Sequence, residues 1–395
     1  MVLAVRQGAS MREVARRYRC GVATVHLWVR RVGDRALSEV NWNDRPSLPH
    51  KIQRTDRIIE DLVLTLRREL RESSVLGEYG AAAIHGALLS RGISPVPSVR
   101  SIGRIVQRRG ALDNRRRIRQ RPPVPGWYLP DVAERANELD SFDVIEDLMM
   151  IEGGIHVDVF TAISLHGGLV ACWPDRNIPS TKVVSAMSEH WRRVGLPTYA
   201  QFDNDARFQG NHRSADSIGR VIRLCLSLGV TPVFAPPRET GFQAAIESFN
   251  GRWQAKVWQR FHYESLAALQ LQSARYIAAY RSHLSRRIEQ APQRRSFPSV
   301  WQLDLQAHPR GRIVYLRRTS EDGKVNLFGH SFFVDQNWPH RLVRAEVNLN
   351  AGVISFYALR RREPAQQPLL QTVEYRLPNR RFSDRSTNQR NMQSP

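Results

Sequence analysis

Residues 136–143 read A-N-E-L-D-S-F-D, and their last residue, Asp143, lies inside an extended run typical of a β-strand. Further short runs follow, and later ones alternate with helical periodicity. The predicted strands are 141–145, 154–163, 168–173, 199–202 and 231–234, and the predicted helices are 180–194, 217–228, 243–261 and 265–288. Three strands followed by alternating helices and strands predict one mixed sheet with helices packed on it. We assign residues 136–290 to this α/β core.

Three acidic residues occupy special positions in the predicted core. Asp143 lies within the first strand, Asp203 ends the fourth strand, and Glu247 lies near the start of the long helix. Ionised carboxylates in such places are costly unless they have partners. Two divalent cations about 3.5–4 Å apart require such oxygen ligands for in-line phosphoryl displacement. Asp158, in the second predicted strand, is an alternative to Asp143, although we favour a solvent-facing or paired role for it.

The charge of the chain is unevenly distributed. The formal net charge is +22 and the pI is near 11.0. Residues 1–130 carry 25 basic and 11 acidic side chains, residues 131–260 carry 13 and 16, and residues 261–395 carry 21 and 10. Two basic ends indicate a polyanion binder. The slightly acidic middle fits either a site where cations separate carboxylates from phosphates or a neutral core with solvated tails.

The first 45 residues have the layout of a helix-turn-helix. Ser10 and Glu13 form an S-x-x-E capping box, and Gly21 supplies the turn before a second helix. The alternative is an ordinary αα-hairpin; the pattern favours DNA binding. The residues predicted to face DNA from the second helix are Thr24, His26, Arg30 and Arg31.

Residues 46–112 predict a second helix-turn-helix. Arg100, Arg104 and Arg108 line its last helix. Residues 113–135 are rich in arginine and then in proline, and we predict a linker that lies along a phosphate backbone through Arg115, Arg116 and Arg117. Two further predicted DNA contacts, for which a solvated role is the alternative, are Arg238 and Lys256.

The C-terminal part changes to short alternating runs from residue 309. Five short strands predict a small antiparallel β-barrel over residues 300–375. Residues 376–395 are polar, and we predict that they are disordered. The whole chain is thus predicted to be a multidomain α+β protein.

The core resembles the catalytic domain of the DDE transposases of bacterial insertion sequences, which are related to retroviral integrases. The resemblance is carried by three segments: A-N-E-L-D-S-F-D at 136–143, L-P-T-Y-A-Q-F-D-N-D-A-R-F at 196–208, and A-P-P-R-E-T-G-F-Q-A-A-I-E-S-F-N at 235–250. It implies an RNase H-like fold in which Asp143, Asp203 and Glu247 are catalytic and bind two Mg²⁺ ions, with Mn²⁺ as a possible substitute. Asp205 stands where the family has glycine.

The resemblance implies a transposase that binds the terminal repeats of its element, cuts the DNA and transfers the strands. The expected partners are double-stranded DNA, both terminal repeats and target, and further copies of the chain in a synaptic complex. One alternative is a catalytically silent DNA-binding regulator or remnant, and another is a nuclease that cuts without joining. Scattered cysteines fit a reducing cytoplasm, and the absence of a long apolar run argues against a membrane partner. The resemblance implies that the protein is bacterial and nucleoid-associated.

DNA affinity should depend steeply on salt because of the basic ends. We expect a log–log slope of about −0.9 per neutralised phosphate, measured by binding titrations at several salt concentrations. Deleting residues 1–112 should abolish binding to a particular DNA end and leave non-specific binding. A footprint of the truncated chain on one terminal repeat would contradict the assignment of recognition to the helix-turn-helix units.

Overall fold

The computed structural model describes residues 1–43, 55–112, 125–150, 154–210, 214–239, 241–361 and 363–382. The chain forms two compact units, Met1–Arg57 and Ile58–Pro395. No helix among the described residues is long and apolar enough to cross a membrane.

The first unit is helical. Its helices are α1 (Val2–Arg6), α2 (Met11–Arg17) and α3 (Val22–Val32), followed by a 3₁₀ turn at Leu37–Glu39. The Ser10 hydroxyl accepts a hydrogen bond from the Glu13 backbone N–H at 3.3 Å, so α2 begins at the predicted cap. Val14 of α2 and Val25 of α3 are buried against each other's helix. The two predicted helices are present, and their DNA-binding role remains a prediction.

The second unit begins with three helices. They are α4 (Arg57–Ser73), α5 (Ala81–Ser90) and α6 (Val99–Arg108), and a buried aliphatic cluster joins them. Arg260, a residue of the α/β core, donates to the backbone oxygens of Ser74 at 2.6 Å and Glu72 at 2.7 Å. These bonds satisfy carbonyls at the end of α4 and connect this helical block to the core.

A nine-stranded mixed sheet forms the centre of this unit, and it contains the five strands predicted for a mixed core sheet. Its order is β11-β10-β9-β6-β5-β4-β1-β2-β3. The pairs β1–β4, β4–β5 and β5–β6 are parallel, and the remaining pairs are antiparallel. The strands are β1 (Leu139–Met149), β2 (His156–Ser164), β3 (Val170–Asp175), β4 (Tyr199–Phe202), β5 (Thr231–Phe234), β6 (Arg312–Arg318), β9 (Leu342–Asn348), β10 (Val353–Ala358) and β11 (Leu369–Glu374).

Helices cover both faces of the sheet. They are α7 (Pro130–Ala133), α8 (Ser180–Val194), α9 (Ala206–Gln209), α10 (Arg220–Ser227), α11 (Ala244–Trp253), α12 (Leu266–His283) and α13 (Ser285–Glu289). The predicted long helix ends earlier than expected, because a π-helical turn at Gln254–Trp258 follows α11. One face carries the buried cluster around Phe142 and Trp191, and the opposite face carries the cluster around Ile246 and Phe249.

The C-terminal strands differ from the predicted separate barrel. β6, β9, β10 and β11 continue the central sheet, while β7 (Lys324–Leu327) and β8 (His330–Phe333) form a hairpin outside it. β6 pairs in parallel with β5 through Val314 and Tyr315. Four consecutive residues of β6, from 313 to 316, are buried, which suits an inner strand covered on both faces.

Residues 376–382, which belong to the predicted disordered tail, are described in the structure. Phe382 exchanges hydrogen bonds with the Gln306 side chain at 3.2 and 3.3 Å, and the Arg223 guanidinium lies 5.2 Å from the Phe382 ring centroid. Residues 383–395 lie outside the described residues.

A buried ion pair lies beneath β1. Both Arg294 Nη atoms donate to the Asp140 carboxylate, at 2.9 and 2.6 Å, and Trp191 Nε1 donates to it at 3.0 Å. Burial alone would raise the pKa of Asp140, but the Arg294 charge more than offsets it and holds the pKa below its usual value. The pair therefore joins α8 and the segment around residue 294 to β1.

Replacing Arg294 with Met leaves this carboxylate buried without its counter-ion. We expect the free energy of unfolding at neutral pH to fall by about 3–5 kcal/mol. Because the folded pKa of Asp140 is depressed, the contribution is complete above the usual pKa of Asp and is lost as the pH falls through the folded value. Urea unfolding of Arg294→Met measures it against Arg193→Met, whose partner Glu189 is exposed. Equal losses in the two variants would contradict the assignment.

Candidate active site

The parallel pairing of β1 and β4 sets two predicted acids side by side. Ser141 is the register partner of Gln201, and the Ser141 hydroxyl donates to Gln201 Oε1 at 3.2 Å. Asp143 and Asp203 each follow two residues later. Since side chains alternate along a strand, both acids belong to the same face, at the same edge of the sheet.

Helix α11 brings the third predicted acid to this face. Gln201 Nε2 and the Tyr128 hydroxyl both donate to the Phe242 carbonyl oxygen, each at 3.2 Å, and so fix the start of α11. Glu247 lies in its first turn and is exposed. One turn later, Asn250 Nδ2 donates to Asp143 Oδ2 at 2.8 Å. The structure thus brings the helix carrying Glu247 onto the face that carries both aspartates.

The electrostatics of Asp143 are those of a crowded anionic site. Its Oδ1 accepts the Val144 backbone N–H at 2.9 Å. Burial, followed by the charges of Asp203 and Glu247, raises the pKa of Asp143 to about 6, against the opposing effects of that hydrogen bond and of Arg207. The charge of Asp143 is therefore affected by both of the other acids.

Hydrogen bonds between side chains and backbone N–H groups hold the loop that follows β4. The Asp205 N–H donates to Asp203 Oδ1 at 3.0 Å, and Asp205 caps α9 by accepting the Arg207 N–H at 2.7 Å. Asp205 has φ −62°, so a residue other than glycine fits this position without strain. Burial and the charges of Asp205 and Glu146 raise the pKa of Asp203, partly offset by its backbone hydrogen bond and by Arg207.

Arg207 is a functional-site residue that sequence reasoning missed. Its guanidinium forms a bidentate pair with Asp205 at 2.8 and 2.9 Å and contacts Glu146 at 2.5 Å. It also lowers the pKa of Asp143 and Asp203. Glu146 is far from Arg207 in sequence, so only the folded chain reveals this cation beside the acidic edge.

The donor chemistry of the site fits a hard divalent cation. Asp143, Asp203 and Glu247 offer only carboxylate oxygens, which Mg²⁺ prefers. Asn250 Oδ1 is buried and has no hydrogen-bond partner among the described residues. This oxygen could therefore accept from a water bound to a cation. Among the described residues, no group of three or more His, Cys, Asp or Glu side chains is close enough to hold a metal ion. The site is therefore a charged edge rather than a closed cage.

Seven of the predicted DNA contacts are exposed in the structure. They are Thr24, His26, Arg30, Arg100, Arg104, Arg108 and Arg238. Arg115, Arg116 and Arg117 lie outside the described residues. Asp158, the alternative acid, accepts the Asp147 N–H at 3.3 Å, and the choice between it and Asp143 remains a prediction.

Three predicted DNA contacts have partners inside the protein. Arg31 donates to the Asn41 and Asn43 backbone oxygens at 3.1 and 2.6 Å. Arg108 pairs with Glu60, and Lys256 Nζ donates to the Gly77 oxygen at 2.7 Å. These partners are distant in sequence, which is why a basic helix face alone did not reveal them. DNA contact by these side chains would require them to exchange their internal partners.

Comparisons with known proteins give distant likenesses only. No protein-family model matches the chain, and no curated protein matches it. The catalytic core domain of BIV integrase is similar at 15% identity and a TM-score of 0.27, over 36% of this chain and 81% of that one. A chain of the simian T-cell lymphotropic virus intasome, solved with PP2A regulatory subunit B56 gamma, is similar at 12% identity and a TM-score of 0.32. The match covers 76% of this chain and 96% of that one.

A further similar structure is the HTLV-2 integrase catalytic core domain in complex with magnesium. Its dimeric form is 12% identical with a TM-score of 0.25, over 40% of this chain and 87% of that one. At such identities and TM-scores, the activity of the chain has to be argued from its own side chains.

Two aspartates on β1 should respond oppositely to neutralisation. Asp143→Asn should raise the free energy of unfolding at pH 7 by about 1–3 kcal/mol, because burial and the neighbouring acids disfavour the ionised form. Since its folded pKa is raised, the gain should vanish below about pH 4, where the carboxyl group is protonated in both states. Asp140→Asn should instead destabilise. Urea unfolding across pH measures both, and destabilisation by both variants would show that Asp143 is structural.

Proposed function

We propose that this chain is a DDE-type enzyme that cuts and joins DNA, the transposase of a bacterial insertion sequence. The observation that supports the proposal is the environment of Asp143, where burial and the charges of Asp203 and Glu247 raise the pKa of this carboxyl group. Carboxylates perturbed in this way are typical of catalytic sites. The sequence resemblance of the three segments that contain these acids supports the same function.

In this proposal the three acids would hold two Mg²⁺ ions, or Mn²⁺ in their place, although among the described residues no three such side chains lie close enough to hold an ion in this structure. When bound, such ions act as Lewis acids on the attacking and leaving oxygens of an in-line phosphoryl displacement. The chain's own contribution is to position the acids. Asn250 and the Val144 N–H hold the two oxygens of Asp143, and the Asp205 N–H holds Asp203. No covalent link between protein and DNA is required.

The basic ends of the chain supply DNA binding in this proposal. Residues 1–45 and 46–112 act as helix-turn-helix units that recognise the terminal repeats, and residues 113–135 follow the phosphate backbone. Several copies of the chain assemble on paired DNA ends before strand transfer. The protein works in the bacterial cytoplasm, at the nucleoid.

The test is a cleavage and strand-transfer assay on a labelled element end. Asp143→Asn, Asp203→Asn and Glu247→Gln should each abolish activity in Mg²⁺ and retain end binding, since losing one charge leaves too few ligands for two divalent ions. Mobility-shift titration measures the binding, and circular dichroism verifies the fold. Full activity of Asp203→Asn or Glu247→Gln would overturn the two-metal mechanism.

The matched control is Asp158→Asn. Asp158 lies on the neighbouring strand β2, and its carboxylate accepts the Asp147 N–H. This variant should remain active. Activity lost in Asp158→Asn and kept in Asp143→Asn would mean that the catalytic acid is misassigned. Cutting without joining would favour a nuclease, and end binding with no cutting by the unmodified chain would favour a regulator.

A further inference from the structure

A cavity of about 170 Å³ lies beside the acidic edge, which is the edge of the sheet that carries Asp143 and Asp203. It opens between the segment that follows α9, strand β6 and the hairpin of β7 and β8. Its polar lining comes from six side chains: Gln209, Ser214, Ser217, Tyr315, Arg317 and Asn326. None of its described lining residues is acidic.

Arg317 is the one cation in this described lining, and it has only neutral partners. Its Nη1 donates to the Leu316 and Ala235 backbone oxygens at 2.9 and 3.3 Å, and its Nη2 donates to Asn204 Oδ1 at 2.9 Å. A guanidinium has five N–H donors, so two remain after these three bonds. Burial lowers the pKa of Arg317 to about 10. The group is therefore a partly buried positive charge without a counter-ion among the described residues.

Two other buried or half-buried arginines have a carboxylate partner, and Arg223, whose hydrogen bonds go to backbone carbonyls, does not line this cavity. Arg294 pairs with Asp140, and Arg344 lies 3.1 Å from Glu346. Because an unpaired charge in a low-dielectric setting is costly, an arginine that lines a cavity and has no carboxylate partner points to an anion as the missing group.

The neighbouring hydroxyl groups supply further donors. Tyr315 is buried and lines the cavity, and its hydroxyl makes no hydrogen bond to another described residue. Ser217 lines the opposite side, and its hydroxyl likewise has no such bond in the described part of the chain. Each hydroxyl can donate one hydrogen bond. The lining thus combines a guanidinium with two available O–H donors.

We propose that this cavity is a phosphate-binding site, in which Arg317, Tyr315 and Ser217 donate to the oxygens of one phosphate group. A guanidinium fork matches the geometry of phosphate oxygens. The phosphate comes either from a nucleic-acid backbone or from free inorganic phosphate. Since Arg317 also holds Asn204, next to Asp203, the bound phosphate is connected by one hydrogen-bonded link to the acidic edge. The inference does not depend on whether the acids catalyse a reaction.

The test is calorimetric titration of the full chain with inorganic phosphate, at constant ionic strength set by chloride. Tyr315→Phe removes one donor and should weaken binding about three- to tenfold, and Arg317→Met should weaken it by more than about tenfold. The control is Arg223→Met. It removes another partly buried guanidinium held by the Leu305 and Ala307 carbonyls, which is outside the cavity, and should leave phosphate affinity unchanged.

Two results would overturn the proposal: no phosphate binding above the chloride control, or equal affinity in the unmodified chain and in Tyr315→Phe. The second remains decisive if Arg317→Met fails to fold, because Tyr315→Phe keeps the shape of the ring. A short DNA duplex identifies the source. Phosphate binding that the duplex displaces in the unmodified chain indicates a backbone phosphate, and phosphate binding that persists beside DNA indicates free phosphate.

Discussion

The in-register parallel pairing of β1 with β4 is the constraint on which the site depends. It places Asp143 and Asp203 at the same level on one face, and two like charges held there raise the cost of ionising either. Two other contacts at this edge partly offset the repulsion between the acids. Asn250 donates to Asp143, and Arg207 brings a positive charge near both acids.

β1 carries two acids, the buried Asp140 and the half-buried Asp143, whose charges act in opposite directions on stability. Asp140 faces α8 and is neutralised by Arg294, so its charge stabilises the fold. Asp143, three residues later, faces α11 and has two acids among its charged neighbours. An odd spacing on a strand directs the two side chains to opposite faces. β1 therefore carries one carboxylate that a counter-ion stabilises and one whose ionised form is disfavoured by burial and by neighbouring acids. A carboxylate of the second kind is typical of a site selected for activity rather than for stability.

The sequence predicts the mixed sheet and the positions of the acids, because both depend on local patterns: alternation, strand ends and helix starts. It does not predict the contacts of Arg207 with Glu146, Arg294 with Asp140 or Arg317 with Asn204, because these partners are remote in sequence. The predicted barrel is wrong for a similar reason. Short alternating strands look alike in a barrel and in a larger sheet, and only the pairing of β6 with β5 decides between them.

The insertion of β6 beside β5 also bears on how this protein can change over evolutionary time. A C-terminal domain joined by a linker can be exchanged between proteins as a module. Here the strand that begins the C-terminal part shares backbone hydrogen bonds with the core, and its Arg317 holds the loop that follows Asp203. The two parts therefore have to vary together, and recombination between them would break the sheet in its middle.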